Sequence, residues 1–156
     1  MNESWQHRKA RMQVSVSNAE MLLDIELVNR ELDDYCFRGY LIFLDNGEIM
    51  AKEKVKTEEV RRRPWTLPDK LFILPYMNES THRPLPVYLD GSVHRRRGVK
   101  NRDDKIDNAL HKLGFKPLRF SYGEHLSGKY LKEICDTIED ELVSQKKRQN
   151  GFCNRF

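Results

Sequence analysis

The sequence predicts an α/β domain in which a mixed sheet is flanked by helices. Two short apolar runs, at 69–76 and 85–90, lie close together in the chain. Two amphipathic helical segments, at 102–114 and 127–142, enclose a further extended run at 115–122. A strand that follows a helical crossover most simply lies parallel to the strand before it, which makes the sheet mixed.

The first predicted element is a helix over 17–32. Its apolar residues recur at helical spacing, and Ser17 with Glu20 three residues later forms a capping-box pattern. The chain before it, 1–16, is expected to form a basic arm, and 146–156 a basic, loose tail. One folded domain over 17–145 is therefore expected.

The middle of the chain is expected to be extended and then to form a hairpin. Residues 35–50 are predicted to be extended around a turn at Asp45-Asn46-Gly47, and residues 51–63 to form a short polar helix that ends before Pro64. The polar stretch "MNESTHRP" then separates the two apolar runs, which predicts that they pair as antiparallel strands.

Two aspartates mark the open end of this predicted hairpin. Asp69 begins its first strand and Asp90 ends its second. Pairing 69 with 90 would put both carboxylates on one face a few ångströms apart, where a divalent cation, Mg²⁺ or Mn²⁺, would relieve their repulsion. The alternative is that both are turn residues at strand ends, where Asp is common, and the pattern favours neither.

His94 and a basic block follow the second aspartate. His94 comes four residues after Asp90, and its neutral imidazole could accept a proton from a metal-held water. The arginines after it could hold a phosphodiester. The alternatives are a surface histidine and an exposed loop. The predicted DNA-binding residues are Arg95, Arg96, Arg97, Lys100 and Arg102.

Charge and composition favour an intracellular protein that binds a polyanion. The 28 Lys and Arg exceed the 24 Asp and Glu and are clustered at 7–11, 61–63, 95–100 and 146–149, which favours a DNA backbone as the partner. No apolar run approaches the roughly 20 residues of a membrane span, and no signal peptide is apparent, so a soluble, cytoplasmic protein is expected. Three widely separated cysteines argue against a disulfide framework or a zinc site.

Three segments together resemble a known nuclease family. They are "TLPDKLFI", "PVYLDGSVH" and "RDDKIDNALHKLGFKPLRFSY". With the preceding helix that carries Glu20, they resemble the very short patch repair endonucleases of the PD-(D/E)XK superfamily, and the small endonuclease-like proteins and homing endonucleases that share this domain. The resemblance covers 17–142. It implies a restriction-endonuclease-like fold and a magnesium-dependent DNA endonuclease or nickase.

The resemblance also implies roles for individual residues. Asp69 resembles the principal metal ligand, and the strand at Leu89 and Asp90 supplies the second ligand through a carboxylate or a backbone carbonyl. His94 resembles the histidine that activates water. Two further acidic residues, Asp103 and Glu20, resemble the residue that opens the next helix and the helical glutamate that completes the site.

The sequence departs from the pattern of these nucleases at two positions, and two of the assigned residues also have a possible structural role. Tyr88 stands where many relatives have a glutamate, and Ser92 stands where a lysine is usual. Glu20 has a sufficient structural role in a capping box, and Asp103 would favourably complement the dipole of its helix in any case.

These departures leave a second possible function open besides the nuclease. It is a DNA-binding subunit that has the nuclease fold but an incomplete metal site and acts within a larger assembly. An RNA-binding module is less favoured because no aromatic stacking motif is apparent. A homodimer or a partner protein that supplies specificity is compatible with either function.

Overall fold

The computed structural model describes residues 18–74, 83–90, 97–122 and 126–153. The helices in these ranges are α1 (Asn18–Asn29), α2 (Thr57–Arg62), α3 (Arg97–Lys112) and α4 (Gly128–Cys153). The strands are β1 (Cys36–Phe37), β2 (Tyr40–Phe43), β3 (Ile49–Ala51), β4 (Trp65–Thr66), β5 (Lys70–Phe72), β6 (Leu85–Asp90) and β7 (Leu118–Ser121). Two short 3-10 turns, Asp33–Tyr35 and Lys52–Lys54, complete the described elements.

The main sheet is mixed, as the sequence predicts. Its four strands lie in the order β1, β5, β6, β7. β5 is antiparallel to both β1 and β6, whereas β7 is parallel to β6, because α3 carries the chain back along the sheet before β7 begins. A mixed sheet with flanking helices is thus confirmed.

The predicted register of the hairpin is wrong by two residues. Lys70 pairs with Val87, so continuing the ladder by one residue places Asp69 beside Tyr88 rather than Asp90. Alternation of side chains determines which face a residue occupies, but it is unchanged by a shift of two residues. The sequence pattern therefore had no means of distinguishing these two registers.

A second, three-stranded sheet is inserted between β1 and β5. Its order is β3, β2, β4, and it also carries α2. The predicted turn at 45–47 joins β2 to β3, and Gly47 adopts the positive φ of +80° that this turn requires. Arg63 holds the turn by donating to both carboxylate oxygens of Asp45, at 2.7 and 2.8 Å, while its guanidinium stacks on Phe43.

The main sheet is covered on both faces. On one face α1 and α4 pack through Leu23, Leu27 and Ile138 against Val87 of β6. On the other face, the second core cluster contains Ile42, Leu71, Tyr88, Leu110 and Phe115, so it includes side chains of α3 and the second sheet. All six residues of β6 are buried, which explains why this strand reads as a continuous apolar run in the sequence.

Two helices are longer than predicted. α3 begins at Arg97 rather than at residue 102, and α4 continues to Cys153, so the predicted loose tail is helical as far as that residue. The amphipathic stripe that defined the predicted ends marks where packing stops, but Lys, Arg and Gln are good helix formers and continue the backbone beyond it. None of the described helices is long and apolar enough to cross a membrane.

Packing of α4 on the sheet gives a stability prediction. Ile138 is fully buried, so Ile138→Ala should lower the free energy of unfolding by about 2–5 kcal/mol. The matched control is Val143→Ala on the same helix, where the side chain is 45% exposed and the change should stay within about 0.5 kcal/mol. Urea denaturation measures both, and equal effects would contradict the observed orientation of α4.

Candidate functional site

Asp69 lies immediately before β5, where it is held by the backbone of the neighbouring strand. The amide of Leu89 on β6 donates a hydrogen bond of 2.7 Å to Asp69 Oδ2. Asp69 is half-buried and follows the buried Pro68. Two residues of the predicted metal site, Asp69 and Leu89, are therefore in contact, and this contact fixes the position of the carboxylate.

The carboxyl group of Glu20, in the first turn of α1, meets the carboxyl of Asp69. Burial, a hydrogen bond to Asp69 and the negative charge of Asp69 together raise the pKa of Glu20 from its ordinary 4.5 to about 7. The Glu20 side chain is only 16% exposed. Glu20 therefore keeps its proton up to near neutral pH, and a cation held between the two carboxyls would take the place of that proton.

An ion pair with a buried lysine lies close to the two carboxyls. Lys70 follows Asp69 in the chain and is 1% exposed, and its Nζ lies 2.6 Å from Asp24 Oδ1. Asp24 is one helical turn after Glu20 on α1. The positive charge of Lys70 lowers the pKa of Glu20, against the larger effect of burial. Asp24 Oδ2 is buried and has no hydrogen-bond partner in the part of the chain that the structure describes.

Sequence reasoning missed Lys70 and Asp24. The available signal was the spacing of Glu20 and Asp24, which places two acids on one face of a helix, together with a lysine inside an apolar strand. A lysine in such a strand needs an acidic partner, since burying an unpaired ammonium group is costly.

The two carboxyls line a cleft with a volume of about 440 Å³. Arg38 and Lys52 contribute positive charge to its lining, and Leu67 and Pro68 contribute apolar surface. Arg38 Nε lies 3.9 Å from Glu20 Oε2, which is the separation of a loose ion pair. Acidic and basic groups therefore share one solvent-accessible site, although no sequence pattern singled out Arg38 or Lys52.

Asp90 and Asp103 form a second group around Arg119. Arg119 Nη1 lies 3.1 and 3.2 Å from the two carboxylate oxygens of Asp90 and 3.5 Å from Asp103 Oδ2. The guanidinium also binds Asp107 and stacks 4.2 Å from the centre of the Tyr88 ring. Asp90 is thus a buried carboxylate with a strong cationic partner, whereas Asp69 faces the carboxyl of Glu20.

Tyr88, which stands where the sequence resemblance leads one to expect a glutamate, has a role in packing. Its hydroxyl hydrogen-bonds Thr66 Oγ1 at 2.7 Å, and burial raises the pKa of the phenol. Tyr88 also belongs to the core cluster between the main sheet and α3. Its side chain therefore links β4 of the second sheet to the main sheet.

The remaining predicted site residues lie partly on α3 and partly outside the described residues. His94, Arg95 and Arg96 lie outside the described residues, and Arg97 is the first residue of α3. Lys100 and Arg102 lie on α3 and are exposed to solvent. Their roles in catalysis and DNA binding stay predictions.

The donors in the cleft fit one type of metal ion. Among the described residues, no three His, Cys, Asp or Glu side chains are grouped so that they could hold a metal together. Glu20 and Asp69 nevertheless offer carboxylate oxygens, and Mg²⁺ is commonly bound by one or two carboxylates while it keeps several waters. The Glu20–Asp69 pair therefore fits magnesium better than an ion that needs a full set of protein ligands.

The proton held by Glu20 predicts how magnesium binding depends on pH. Below a pKa of about 7, the ion must displace this proton, so affinity should fall about tenfold for each pH unit below 7 and level off above it. Calorimetric titration at pH 5.5 to 8.5 measures this. Glu20→Gln should weaken binding and remove the pH dependence, while Glu53→Gln, at an exposed position, should change neither. If the magnesium affinity of the wild type does not vary with pH, Glu20 does not hold a proton that the ion must displace.

The same proton affects the stability of the metal-free protein. The folded state keeps it between pH 4.5 and about 7, whereas the unfolded state has released it. The free energy of unfolding should therefore fall as the pH rises through this range, and the loss should be complete above about 7. Magnesium should restore stability most strongly at the upper end. Loss of this trend in Glu20→Gln assigns it to Glu20.

Comparison with known proteins gives no independent assignment. No family model, no curated protein and no solved structure matches the chain. A function for this chain is therefore inferred from the geometry of its cleft.

Proposed function

We propose that the protein is a magnesium-dependent endonuclease or nickase that hydrolyses phosphodiester bonds in DNA. The observation that carries the proposal is the partly buried Glu20–Asp69 carboxyl pair, which lines a cleft together with Arg38 and Lys52. Carboxylates that can hold a divalent cation next to basic side chains that can hold a phosphate are the two requirements of metal-assisted phosphodiester hydrolysis.

The topology of the main sheet supports the proposal. α1 precedes three antiparallel strands, and β6 is followed by a crossover helix and a parallel strand. This order agrees with the restriction-endonuclease-like fold that the sequence resemblance implies. Because fold does not determine activity, the Glu20–Asp69 cleft remains the main support for a nuclease.

Each residue of the site would have a distinct task. Glu20 and Asp69 would hold the ion, which when bound lowers the pKa of water and neutralises charge on the phosphate. The Leu89 amide keeps Asp69 oriented through its 2.7 Å hydrogen bond. Lys70, paired with Asp24, supplies fixed positive charge behind the carboxyls. His94 would accept the proton of the attacking water, and Arg95 to Arg97 would hold the DNA backbone.

One observation favours a second candidate, a DNA-binding subunit without activity. Asp90 is bound by both of its oxygens to Arg119, and Tyr88 occupies the position where many relatives carry an acid. A site with only two carboxylates at the cleft would then bind metal too weakly for cleavage. DNA binding without cleavage would support this candidate.

Incubation with supercoiled plasmid, with and without magnesium or manganese, separates the two candidates. We expect metal-dependent conversion to open circles or linear DNA. Asp69→Asn should reduce cleavage to background while DNA binding is retained or slightly strengthened, because one negative charge near the phosphate is lost. Asp140→Asn, at an exposed position on α4, is the matched control and should cut normally. Unchanged cleavage by Asp69→Asn would remove Asp69 from the site.

The role of His94 is tested by the rate and its pH dependence. His94→Ala should lower the cleavage rate by about 100-fold to 10,000-fold, with little change in metal or DNA affinity. The wild-type rate should rise with pH as the imidazole loses its proton, and the variant should lose this inflection. His111→Ala, at an exposed position on α3, is the control. If His94→Ala instead weakens magnesium binding as much as it lowers the cleavage rate, His94 is a metal ligand.

A further inference from the structure

We infer that Arg38 and Lys52 bind a DNA phosphate beside the Glu20–Asp69 pair, and that the second sheet is therefore part of the DNA-binding surface. The inference rests on the proposed function for the identity of the site. It adds a binding surface distinct from the arginines that follow β6.

The backbone holds the two basic residues on one side of the cleft. Arg38 follows β1, and Gly39 next to it has a φ of +80°, which redirects the chain into the second sheet. Lys52 follows β3 at once, and its amide donates a hydrogen bond of 2.8 Å to the Gly39 carbonyl. The start of the main sheet and the end of the β2–β3 hairpin are joined at this point. Arg38 and Lys52 thus contribute to the lining of the same cleft as the carboxyls.

The balance of charge in the cleft favours an anion once a divalent cation is bound. Arg38 and Lys52 carry two positive charges, which the two carboxylates would offset when both are ionised. The charge of Lys70 is already paired with Asp24. A divalent cation held by the two ionised carboxylates would leave the positive charges of Arg38 and Lys52 free to attract an anion. A phosphodiester is the anion whose oxygens can meet both the cation and the basic side chains.

Basic residues outside the cleft favour a polyanion over a single small phosphate. The chain that follows Lys52 carries four more exposed basic residues, namely Lys54, Lys56, Arg61 and Arg62, which outnumber its two exposed acidic residues, Glu53 and Glu58. A small phosphorylated ligand would make no use of charges beyond the cleft. A nucleic-acid backbone uses several at once, because each neutralised phosphate releases a counterion. The extent of the basic surface therefore points to a DNA strand crossing the second sheet.

The test measures DNA binding, independently of cleavage. A fluorescently labelled 20-base-pair duplex is titrated with the full chain between 50 and 200 mM NaCl, once in EDTA and once with calcium, a hard cation that takes the same oxygen donors. The double variant Arg38→Gln/Lys52→Gln should lower the log-log salt slope by about 1.8, which is about 0.9 for each lost phosphate contact. Its loss of affinity should be greater with calcium than in EDTA.

A charge-matched control removes two exposed lysines from α4. Lys129→Gln/Lys132→Gln changes the net charge equally, at positions outside the cleft. Its slope should stay close to that of the wild type. Equal slopes for the two double variants, or no duplex binding by the wild type, would overturn the inference. Weaker binding of inorganic phosphate with unchanged duplex binding would also overturn it, in favour of a small phosphorylated ligand.

Comparison with the plasmid assay separates this inference from the proposed function. A wild-type protein that cuts plasmid, but whose salt slope is unaffected by the Arg38 and Lys52 substitutions, contradicts only the phosphate contact. A protein that binds duplex through these residues in calcium and never cuts contradicts only the nuclease. Thermal denaturation of each variant confirms that it is folded, as expected for two accessible side chains.

Discussion

The hydrogen bond from the Leu89 amide to Asp69 Oδ2 is the interaction on which the arrangement of the site depends. It joins the start of β5 to the carboxyl-terminal end of β6, a strand buried on both faces. A carboxylate at the end of a short strand would otherwise be free to turn to solvent. Held in this way, Asp69 meets Glu20 from α1, and burial together with the contact to Asp69 raises the pKa of Glu20. The packing of α1 on the sheet is thereby linked to the chemistry of the cleft.

The sequence was most informative where burial dictates residue type. β6 was predicted with its observed bounds because a strand covered on both faces must be apolar throughout. The parallel return to β7 was also predicted, since a crossover allows little else. The second sheet was not, because strands of two to four residues are too short to show a period. Its strands depend on pairing with one another, which a local pattern does not record.

The candidate site was predictable only in part. Asp69 and Leu89 are in contact, and Glu20 meets Asp69, although its sequence pattern was equally consistent with capping. Asp90 was expected beside Asp69, but the ladder is shifted by two residues and Arg119 binds Asp90. Arg119 lies on a strand that was predicted, but its pairing with Asp90 and Asp107 brings together three separate elements. Contacts of this kind depend on the completed fold.

The position of the second sheet in the chain has an evolutionary consequence. The insertion leaves the main sheet after β1 and rejoins it at β5, and these strands are paired neighbours, with Phe37 opposite Leu71. Its two ends are therefore close in space, so a longer, shorter or different segment could be accommodated there at little entropic cost. The residues that would contact substrate on this side can diversify while the carboxyl pair is conserved. Descendants of one scaffold could in this way acquire different binding surfaces without changing the Glu20–Asp69 pair.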